Sequence, residues 1–345
     1  MTKKLMVGSV PVGGGTPVTI QSMCNTKTDQ VDATVAQIHA LEAAGCEIIR
    51  IAVPDEAAAM AVDRIKEQIT IPLIADIHFN YKLAIVCAEQ GIDALRINPG
   101  NIGGEERVKA VAEACRRKRI PIRIGVNGGS LEKSLRAKYG GVTAEALVES
   151  AMGHVKLLNR YDFDDICISV KCSDVPLTMR SYTLLSQQTD YPLHLGVTEA
   201  GTPAMGMIKS AMGIGGLLCM GIGDTMRVTL TADPVEEVYA AQRILRAAGL
   251  RRDGVNLIAC PTCGRTRIDL IPMAEEVERR LAGCKKNITV AVMGCAVNGP
   301  GEASAADVGI AGGDGEGLIF RKGEILYKVP QEQLVDALMK EIEKL

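Results

Sequence analysis

The feature that most constrains the fold of this 345-residue chain is a regular alternation of short β-branched runs with helical stretches rich in alanine and glutamate. Such alternation is typical of parallel strands joined by crossover helices. Eight strand–helix units in about 230 residues match a closed (β/α)8 TIM barrel. An open doubly wound sheet is the alternative, but no G-x-G-x-x-G sequence follows the first strand. We therefore predict an α/β chain with a TIM barrel, whose strands lie at 18–23, 48–53, 73–77, 94–98, 121–127, 165–171, 193–199 and 226–230.

A second, smaller α/β domain is predicted after the barrel, because the rhythm changes beyond residue 250. The expected domains are a substrate-binding barrel at 1–250 and a metal-cluster domain at 255–345. Before the first barrel strand, residues 5–20 predict a hairpin that turns at Pro11-Val12-Gly13-Gly14-Gly15. Barrel helices are expected at 31–44, 105–118, 144–160 and 234–248. The second domain is expected to have helices at 268–281 and 331–345 and strands at 256–259, 288–293, 308–311, 318–320 and 324–328.

Cationic residues recur between apolar neighbours in the predicted barrel strands. Since side chains alternate along a strand, apolar residues that face the helices leave each cation directed into the barrel. Burying so many cations together is costly unless an anion compensates, and the arginine fork suits phosphate oxygens. A purely internal ion network would need matching carboxylates, and only Asp76 and Glu199 stand at strand ends. The sequence therefore predicts a substrate with two or more phosphate charges, bound by Arg50, Arg96, Arg123, Lys171 and Arg227.

Polar residues at the predicted strand ends are candidates for proton transfer and orientation, since chemistry in a TIM barrel occurs at the carboxyl ends of the strands. We expect Asp76 and Glu199 to be catalytic, with His78, Asn127 and Thr229 around the substrate. His78 alone could equally be a supporting residue, and His194 is interpreted as core. Buried thiols are expected at Cys46, Cys87, Cys115, Cys167 and Cys219, whereas Cys24 and Cys172 fall near the barrel mouth.

Three further cysteines lie in loops of the second domain. Cys260 and Cys263 are spaced so that one metal centre can take both thiolates, and Cys295 follows in a Gly/Pro-rich loop. A structural zinc site needs four protein ligands, and a cubane iron–sulfur cluster normally takes four thiolates. Glu302, in the same loop as Cys295, is the nearest candidate for a fourth ligand of an iron–sulfur cluster. A zinc site completed by Cys284, or a redox dithiol, is the alternative.

Composition excludes several classes of function. The net charge is −2, 47% of residues are hydrophobic, and no Lys/Arg-rich run suggests nucleic acid as a partner. No apolar run approaches the ~18 residues of a membrane span. Eleven cysteines without an apolar leader indicate a reducing cytoplasm, with free thiols or metal ligands instead of disulfides.

The predicted topology also bears on assembly. A helix at 234–248 descends roughly 22 Å away from the active-site face of the barrel. The linker 249–255 spans at most about 23 Å, which is barely enough to return to the active-site face of the same barrel. A cluster that must touch substrate would more easily cap the barrel of a second chain. We therefore predict a head-to-tail homodimer with shared active sites.

With these residues in hand, the chain resembles the 4-hydroxy-3-methylbut-2-enyl diphosphate synthase family of the non-mevalonate isoprenoid pathway, in its bacterial two-domain form. The resemblance runs nearly end to end. Its most specific motifs are the two segments that contain Cys260 and Glu302. The matching segments are Gln21-Ser22-Met23, Ala75-Asp76-Ile77-His78-Phe79, Leu95-Arg96-Ile97-Asn98-Pro99-Gly100-Asn101, Ile124-Gly125-Val126-Asn127, Thr198-Glu199-Ala200-Gly201, Gly223-Asp224-Thr225, Cys260-Pro261-Thr262-Cys263 and Asn298-Gly299-Pro300-Gly301-Glu302.

The resemblance implies an oxidoreductase that reductively opens and dehydrates 2-C-methyl-D-erythritol 2,4-cyclodiphosphate, using two electrons from ferredoxin or flavodoxin. It implies a [4Fe–4S] cluster on Cys260, Cys263, Cys295 and Glu302, a homodimer, and diphosphate contacts by the interior cations named above. We also expect Glu302 to be catalytic, as the cluster ligand that exchanges for a substrate oxygen. Cys24 and Cys172 depart from the family pattern, in which Thr and Ala are usual. The alternatives are a redox-neutral cluster dehydratase and a phosphate-ligand-binding barrel with structural zinc.

Overall fold

The computed structural model describes residues 1–296, 301 and 303–345. The chain divides into two compact units, Met1–Leu250 and Arg251–Leu345. No helix in the described part of the chain is long and apolar enough to cross a membrane.

The first unit is a TIM barrel, as the strand–helix rhythm predicts. An antiparallel hairpin of β1 (Leu5–Val7) and β2 (Val10–Val12) precedes the eight barrel strands. Each barrel strand pairs in parallel with its sequence neighbour, and the last pairs with the first. Between the sixth and seventh strands the contact is a single parallel bridge from Ile168 to Leu193. The barrel strands are β3 (Thr19–Met23), β4 (Ile48–Ala52), β5 (Leu73–Ile77), β6 (Ala94–Ile97), β7 (Ile122–Asn127), β8 (Ile166–Lys171), β9 (His194–Leu195) and β10 (Thr225–Met226).

The helices of the first unit cover the outer face of the barrel. Apolar strand residues such as Ile49, Ile51 and Leu95 are fully buried in one cluster with the helix residues Ile38 and Leu245. This confirms that the apolar neighbours of the strand arginines face the helices. A 3-10 turn occupies Gly128–Ser130 and a π-helical turn Ala211–Gly215. The α-helices are Val31–Ala43, Glu56–Met60, Val62–Lys66, Tyr81–Glu89, Pro99–Ile102, Glu105–Lys118, Lys133–Tyr139, Ala144–Asn159, Val175–Ser186, Pro203–Ser210, Gly216–Cys219 and Pro234–Ala247.

The hairpin turns at a different place from the predicted one. Val7 pairs with Val10, so the turn is formed by Gly8 and Ser9, and Pro11 and Val12 belong to β2. The physical reason is burial, because Val7 and Val12 form one cluster with Ile48, Ile74 and Ala94 at the amino-terminal ends of barrel strands. The glycine run that follows, with φ between 63° and 78°, leads into the barrel and is not the hairpin turn.

Strands β9 and β10 are two residues each, much shorter than the predicted 193–199 and 226–230. Amides beyond their ends bond to other partners: Thr198 N–H donates to the Cys172 carbonyl at 3.2 Å, and Leu230 N–H donates to the Glu237 carboxylate at 2.9 Å. Arg227 therefore follows β10 directly and does not lie within it.

The second unit contains one five-stranded mixed sheet, in the order β11-β12-β13-β14-β15. Its first three strands are parallel, and β14 and β15 form an antiparallel hairpin. The first helix begins two residues later than predicted, and the last begins after a 3-10 turn at Gln331–Gln333. The strands are β11 (Val255–Ala259), β12 (Ile288–Met293), β13 (Val308–Gly312), β14 (Glu316–Arg321) and β15 (Glu324–Pro330), and the α-helices are Leu270–Leu281 and Leu334–Glu343.

Candidate active site

One carboxylate inside the barrel holds two of the predicted arginines. Arg96 Nη1 lies 3.1 Å from Asp76 Oδ1, and Arg50 Nε lies 3.8 Å from Asp76 Oδ2. Asp76 and Arg96 are register partners on β5 and β6, so the pleat places their side chains next to each other. Burial opposes ionisation of Asp76, yet Arg50 and Arg96 outweigh it, and the pKa of this carboxyl is lowered. These three side chains form one wall of a charged interior.

Arg227 is held by a carboxylate that sequence reasoning missed. Its Nη2 lies 3.5 Å from Oε2 of Glu237, a residue only 5% exposed in the first turn of the helix Pro234–Ala247. Burial raises the pKa of Glu237, and Arg227 opposes that shift. A signal was present in the sequence, since Glu237 shares a helical face with the apolar residues Ala241 and Ile244.

Arg123 has a neutral partner instead. Its Nη1 donates a hydrogen bond to the Gln21 side-chain oxygen, while its Nη2 is buried without a hydrogen-bond partner among the residues that the structure describes. Burial, together with Arg96 nearby, lowers the pKa of Arg123 to about 10. Gln21 therefore fixes Arg123 through Nη1, while Nη2 keeps its capacity to donate a hydrogen bond.

Glycines make room for two of the cations. A Cβ on Gly125 would lie 2.3 Å from Arg96 Nε, and a Cβ on Gly196 would lie 2.4 Å from Lys171 Nζ. Burial lowers the pKa of Lys171 well below its ordinary value, and Arg123 and Arg50 add to the shift. Both glycines are thus places where a strand backbone admits a charged side chain.

The interior cations outnumber the interior carboxylates. In the described part of the chain, the ion pairs of the five predicted cations involve only Asp76 and Glu237, which leaves an excess of three positive charges when Lys171 is protonated. Burial also lowers the pKa of His194 well below its ordinary value, with Arg123 and Lys171 nearby, so His194 carries no charge at neutral pH. Uncompensated buried charge is unfavourable, and an anionic ligand would relieve it. Two carboxylates are too few to balance five cations, as a purely internal ion network would require.

The remaining predicted residues lie where strands end. His78 follows β5, is exposed, and is close enough to Asp76 to contribute to the lowering of its pKa. Asn127 ends β7 and Thr229 follows β10, and both are half-buried. Glu199 is exposed and has a φ of 52°, a left-handed backbone that side chains other than glycine rarely adopt. The structure does not bring Glu199 into an ion pair with the interior cations.

The thiols of the barrel are mostly buried, as predicted. Cys24 and Cys172 are each 6% exposed. Cys219 is the exception, because it is exposed at the end of a single helical turn whose buried residues are Leu217 and Leu218. The prediction of a buried Cys219 is therefore wrong.

The loop cysteines of the second unit lie at the carboxyl ends of two parallel strands. Cys260 follows β11 directly, and Cys295 comes two residues after β12. Gly294 N–H donates to Cys260 Sγ at 3.1 Å, which brings the backbone next to Cys295 up to that sulfur. The backbone N–H of Arg265 lowers the pKa of the exposed Cys263 thiol. Cysteine sulfurs that accept hydrogen bonds from backbone N–H groups are suited to act as thiolate ligands of an iron–sulfur cluster.

The complete ligand set stays a prediction. Glu302 lies outside the described residues. Among the residues that the structure describes, no three His, Cys, Asp or Glu side chains are grouped as they would be around a bound metal ion. Cys284, the alternative zinc ligand, is half-buried against the apolar core of its unit.

Comparisons with known proteins agree along the whole chain. A family profile described as the GcpE TIM-barrel domain matches residues 2–242, and the GcpE protein C-terminal domain matches residues 256–344. A relative from Geobacter sulfurreducens is 61% identical over 344 residues, covering 100% of this chain and 98% of the relative. Another from Caldanaerobacter subterraneus is 59% identical over 345 residues, covering 100% and 97%. Both are named 4-hydroxy-3-methylbut-2-en-1-yl diphosphate synthase (flavodoxin).

Among solved structures, dihydropteroate synthase from Stenotrophomonas maltophilia aligns with a TM-score of 0.50 at 13% identity, covering 70% of this chain and 98% of that chain. This likeness concerns the fold alone. The two family profiles and the relatives at about 60% identity show that the chain belongs to the GcpE family.

Proposed function

We propose that this chain is a 4-hydroxy-3-methylbut-2-en-1-yl diphosphate synthase that receives its electrons from flavodoxin. The observation that carries the proposal is the excess of positive charge inside the barrel, where five cations face two carboxylates. The names of the relatives supply the reaction and the electron donor. The substrate is 2-C-methyl-D-erythritol 2,4-cyclodiphosphate. Its ring opens with uptake of two electrons and two protons and loss of one water.

The interior cations bind and orient the cyclodiphosphate. Arg50 and Arg96, fixed by Asp76, present their remaining donors to one phosphate. Arg123 offers Nη2, which has no hydrogen-bond partner among the described residues, and Lys171 offers an ammonium that forms no ion pair with a described carboxylate. When a phosphate oxygen leaves carbon it gains negative charge, and preformed donors at that position lower the barrier.

Protons reach the reacting group from the mouth of the barrel. Glu199 is exposed there and so can exchange protons with water, which suits a residue that must be reprotonated after each turnover. Asp76 is ionised and already shared by two arginines, so it acts by holding cations in place. His78 stands beside Asp76, and Asn127 and Thr229 orient the hydroxyl groups of the substrate.

Cys260, Cys263, Cys295 and Glu302 would hold a [4Fe–4S] cluster. When bound, the cluster supplies the two electrons and a Lewis-acidic iron. The backbone amides of Gly294 and Arg265, which bond to the first two thiols, favour the thiolate forms that iron needs.

We also propose a head-to-tail homodimer in which each active site is shared, from the lengths of the last barrel helix and the linker. Mixing a Cys263→Ala chain with an Arg96→Ala chain tests this directly. Free mixing should raise activity from near zero towards a quarter of wild type. Hybrids that form but stay inactive would show that one chain supplies the whole site.

The deciding experiment uses protein purified without oxygen. The proposal expects a brown protein that contains about four irons and four sulfides per chain and converts the cyclodiphosphate only when reduced flavodoxin is supplied. Ferredoxin is assayed in parallel as the second donor. Turnover without any reductant would instead indicate a redox-neutral dehydratase. A colourless protein with one zinc per chain would indicate a phosphate-binding barrel.

A further inference from the structure

Glu237 makes two contacts with the segment that follows the last barrel strand. Its Oε1 accepts a hydrogen bond from Leu230 N–H at 2.9 Å, and its Oε2 lies 3.5 Å from Arg227 Nη2. Between these two anchored points lies Thr229. One buried carboxylate thus fixes both the side chain and the backbone of the segment that leaves the last barrel strand.

Arg227 keeps unused donors despite this anchor. Its Nε is buried and has no hydrogen-bond partner in the described part of the chain, and its Nη1 lies 3.5 Å from the Met23 sulfur, a weak acceptor. A charged donor left unsatisfied is costly, so a guanidinium held in this state is suited to receive an anion. Asp76 holds Arg96 and Gln21 holds Arg123, so each of these arginines is fixed by a group that substrate need not touch.

We propose that Glu237 is a positioning residue, which sets the orientation of Arg227 for contact with the diphosphate by holding both its guanidinium and the backbone that follows it. This inference rests on the proposed function, since it assigns Glu237 a part in binding the same substrate. Glu237 does not touch the substrate itself and acts through Arg227.

Replacing Glu237 with glutamine separates positioning from packing. The glutamine has the same shape, but one of its two terminal atoms becomes an amide NH2. Whichever way the amide is turned, this donor faces either Arg227 Nη2 or Leu230 N–H, which are donors too. One of the two anchors must fail, although no cavity is created. The lost anchor also leaves more uncompensated positive charge in the empty barrel, so the melting temperature should fall, and the loss of affinity is judged against the Arg227→Gln background.

The experiment compares anaerobic holoenzymes of wild type, Glu237→Gln, Arg227→Gln and the double variant. Binding of the cyclodiphosphate is measured by calorimetry, steady-state kinetics with reduced flavodoxin give kcat and KM, and melting is followed in parallel. Glu236→Gln is the matched control, because it removes the same charge from an exposed position one residue away.

We expect Glu237→Gln to weaken binding roughly tenfold to a hundredfold, the range for losing one hydrogen bond between Arg227 and the charged diphosphate. The affinity and the melting temperature of Glu236→Gln should stay near wild-type values, whereas Glu237→Gln should melt at a lower temperature. In the Arg227→Gln background the second substitution should add little, because Glu237 acts through Arg227.

Two results would overturn the inference: wild-type affinity in Glu237→Gln, or an equal loss whether or not Arg227 is present. If the glutamine variant does not fold, Glu237→Asp takes its place. It keeps the charge but is too short to reach both anchors, and the same loss of affinity is expected. A wild-type enzyme that fails to bind the cyclodiphosphate would refute the proposed function itself, which is a separate outcome.

Discussion

A methyl group added at Gly196 should displace Lys171, whose side chain supplies the two nearest atoms. The new Cβ would lie 2.4 Å from Lys171 Nζ and 2.7 Å from its Cε, and 3.1 Å from the Arg227 carbonyl oxygen. Ordinary contacts between such atoms begin near about 3.5 Å, so the ammonium must retreat by roughly 1 Å. The ammonium is the far end of a flexible side chain, so it can give way more easily than the backbone.

The loss of affinity follows from this displacement. An N–H···O hydrogen bond works between about 2.7 and 3.2 Å, so a shift of roughly 1 Å removes the contact with a phosphate oxygen. Hydrogen bonds to charged groups contribute about 1.5–3 kcal/mol. Since about 1.4 kcal/mol is a factor of ten, Gly196→Ala should raise the Kd for the cyclodiphosphate roughly 10- to 150-fold. Stability should change little, because burial already disfavours the charged lysine.

Calorimetry on anaerobic enzyme measures the Kd, and thermal melting measures the stability. Gly153→Ala is the matched control, because it adds the same methyl group within the helix Ala144–Asn159 with no atom within 4 Å. Lys171→Met gives the largest loss of affinity that the lysine can account for. The Gly196→Ala, Lys171→Met double variant tests whether the alanine acts by displacing the lysine.

The reasoning would be refuted if Gly196→Ala bound the ligand as wild type does. It would also be refuted if the alanine weakened binding just as much in the Lys171→Met background, because the effect would then not pass through the ammonium. A large drop in melting temperature would mean that the backbone at the Arg227 carbonyl, and not the lysine, absorbs the clash.

Three further outcomes are expected. Cys263→Ala should abolish the brown colour and the bound iron, while Cys284→Ala should keep both. Iron analysis of protein purified without oxygen measures the difference between the two variants. Binding of the cyclodiphosphate at pH 8.5 should take up protons, because the anion opposes the burial that lowers the Lys171 pKa; calorimetry in buffers of different ionisation enthalpy measures this, and zero uptake contradicts it. A hydrogen bond from His154 lowers the pKa of Glu132 to about 2. Glu132→Gln should therefore be less stable than wild type in urea at pH 7, and the gap should close as pH falls from about 4.3 towards 2.

The barrel and its charged interior could be predicted because both follow from local patterns. A cation between two apolar residues in a strand faces the opposite side from its neighbours, and this rule alone placed Arg50, Arg96 and Arg123 inside. Eight such strands with intervening helices leave few architectures other than a closed barrel.

The carboxylate partner of Arg227 could not be found in the same way. Glu237 lies on a helix, ten residues beyond the arginine, and only the path of the loop brings the two together. The lengths of β9 and β10 were missed for a related reason, since the amides of Thr198 and Leu230, which lie beyond these strands, bond to the Cys172 carbonyl after β8 and to the Glu237 side chain. Contacts made by loops depend on the whole fold, and a local pattern does not contain them.

The distribution of charge inside the barrel bears on catalysis as well as on binding. Under the proposed function, the cyclodiphosphate has one ionisable oxygen on each phosphorus and therefore carries two negative charges. Opening the ring frees a further phosphate oxygen, so that the product can carry three once it has released one of the two protons taken up. The interior excess of three positive charges, with Lys171 protonated, matches the opened form better than the substrate. Interactions that strengthen as charge develops stabilise the transition state more than the bound substrate. Arg123 and Lys171, which no described carboxylate neutralises, are the cations best able to respond to that new charge.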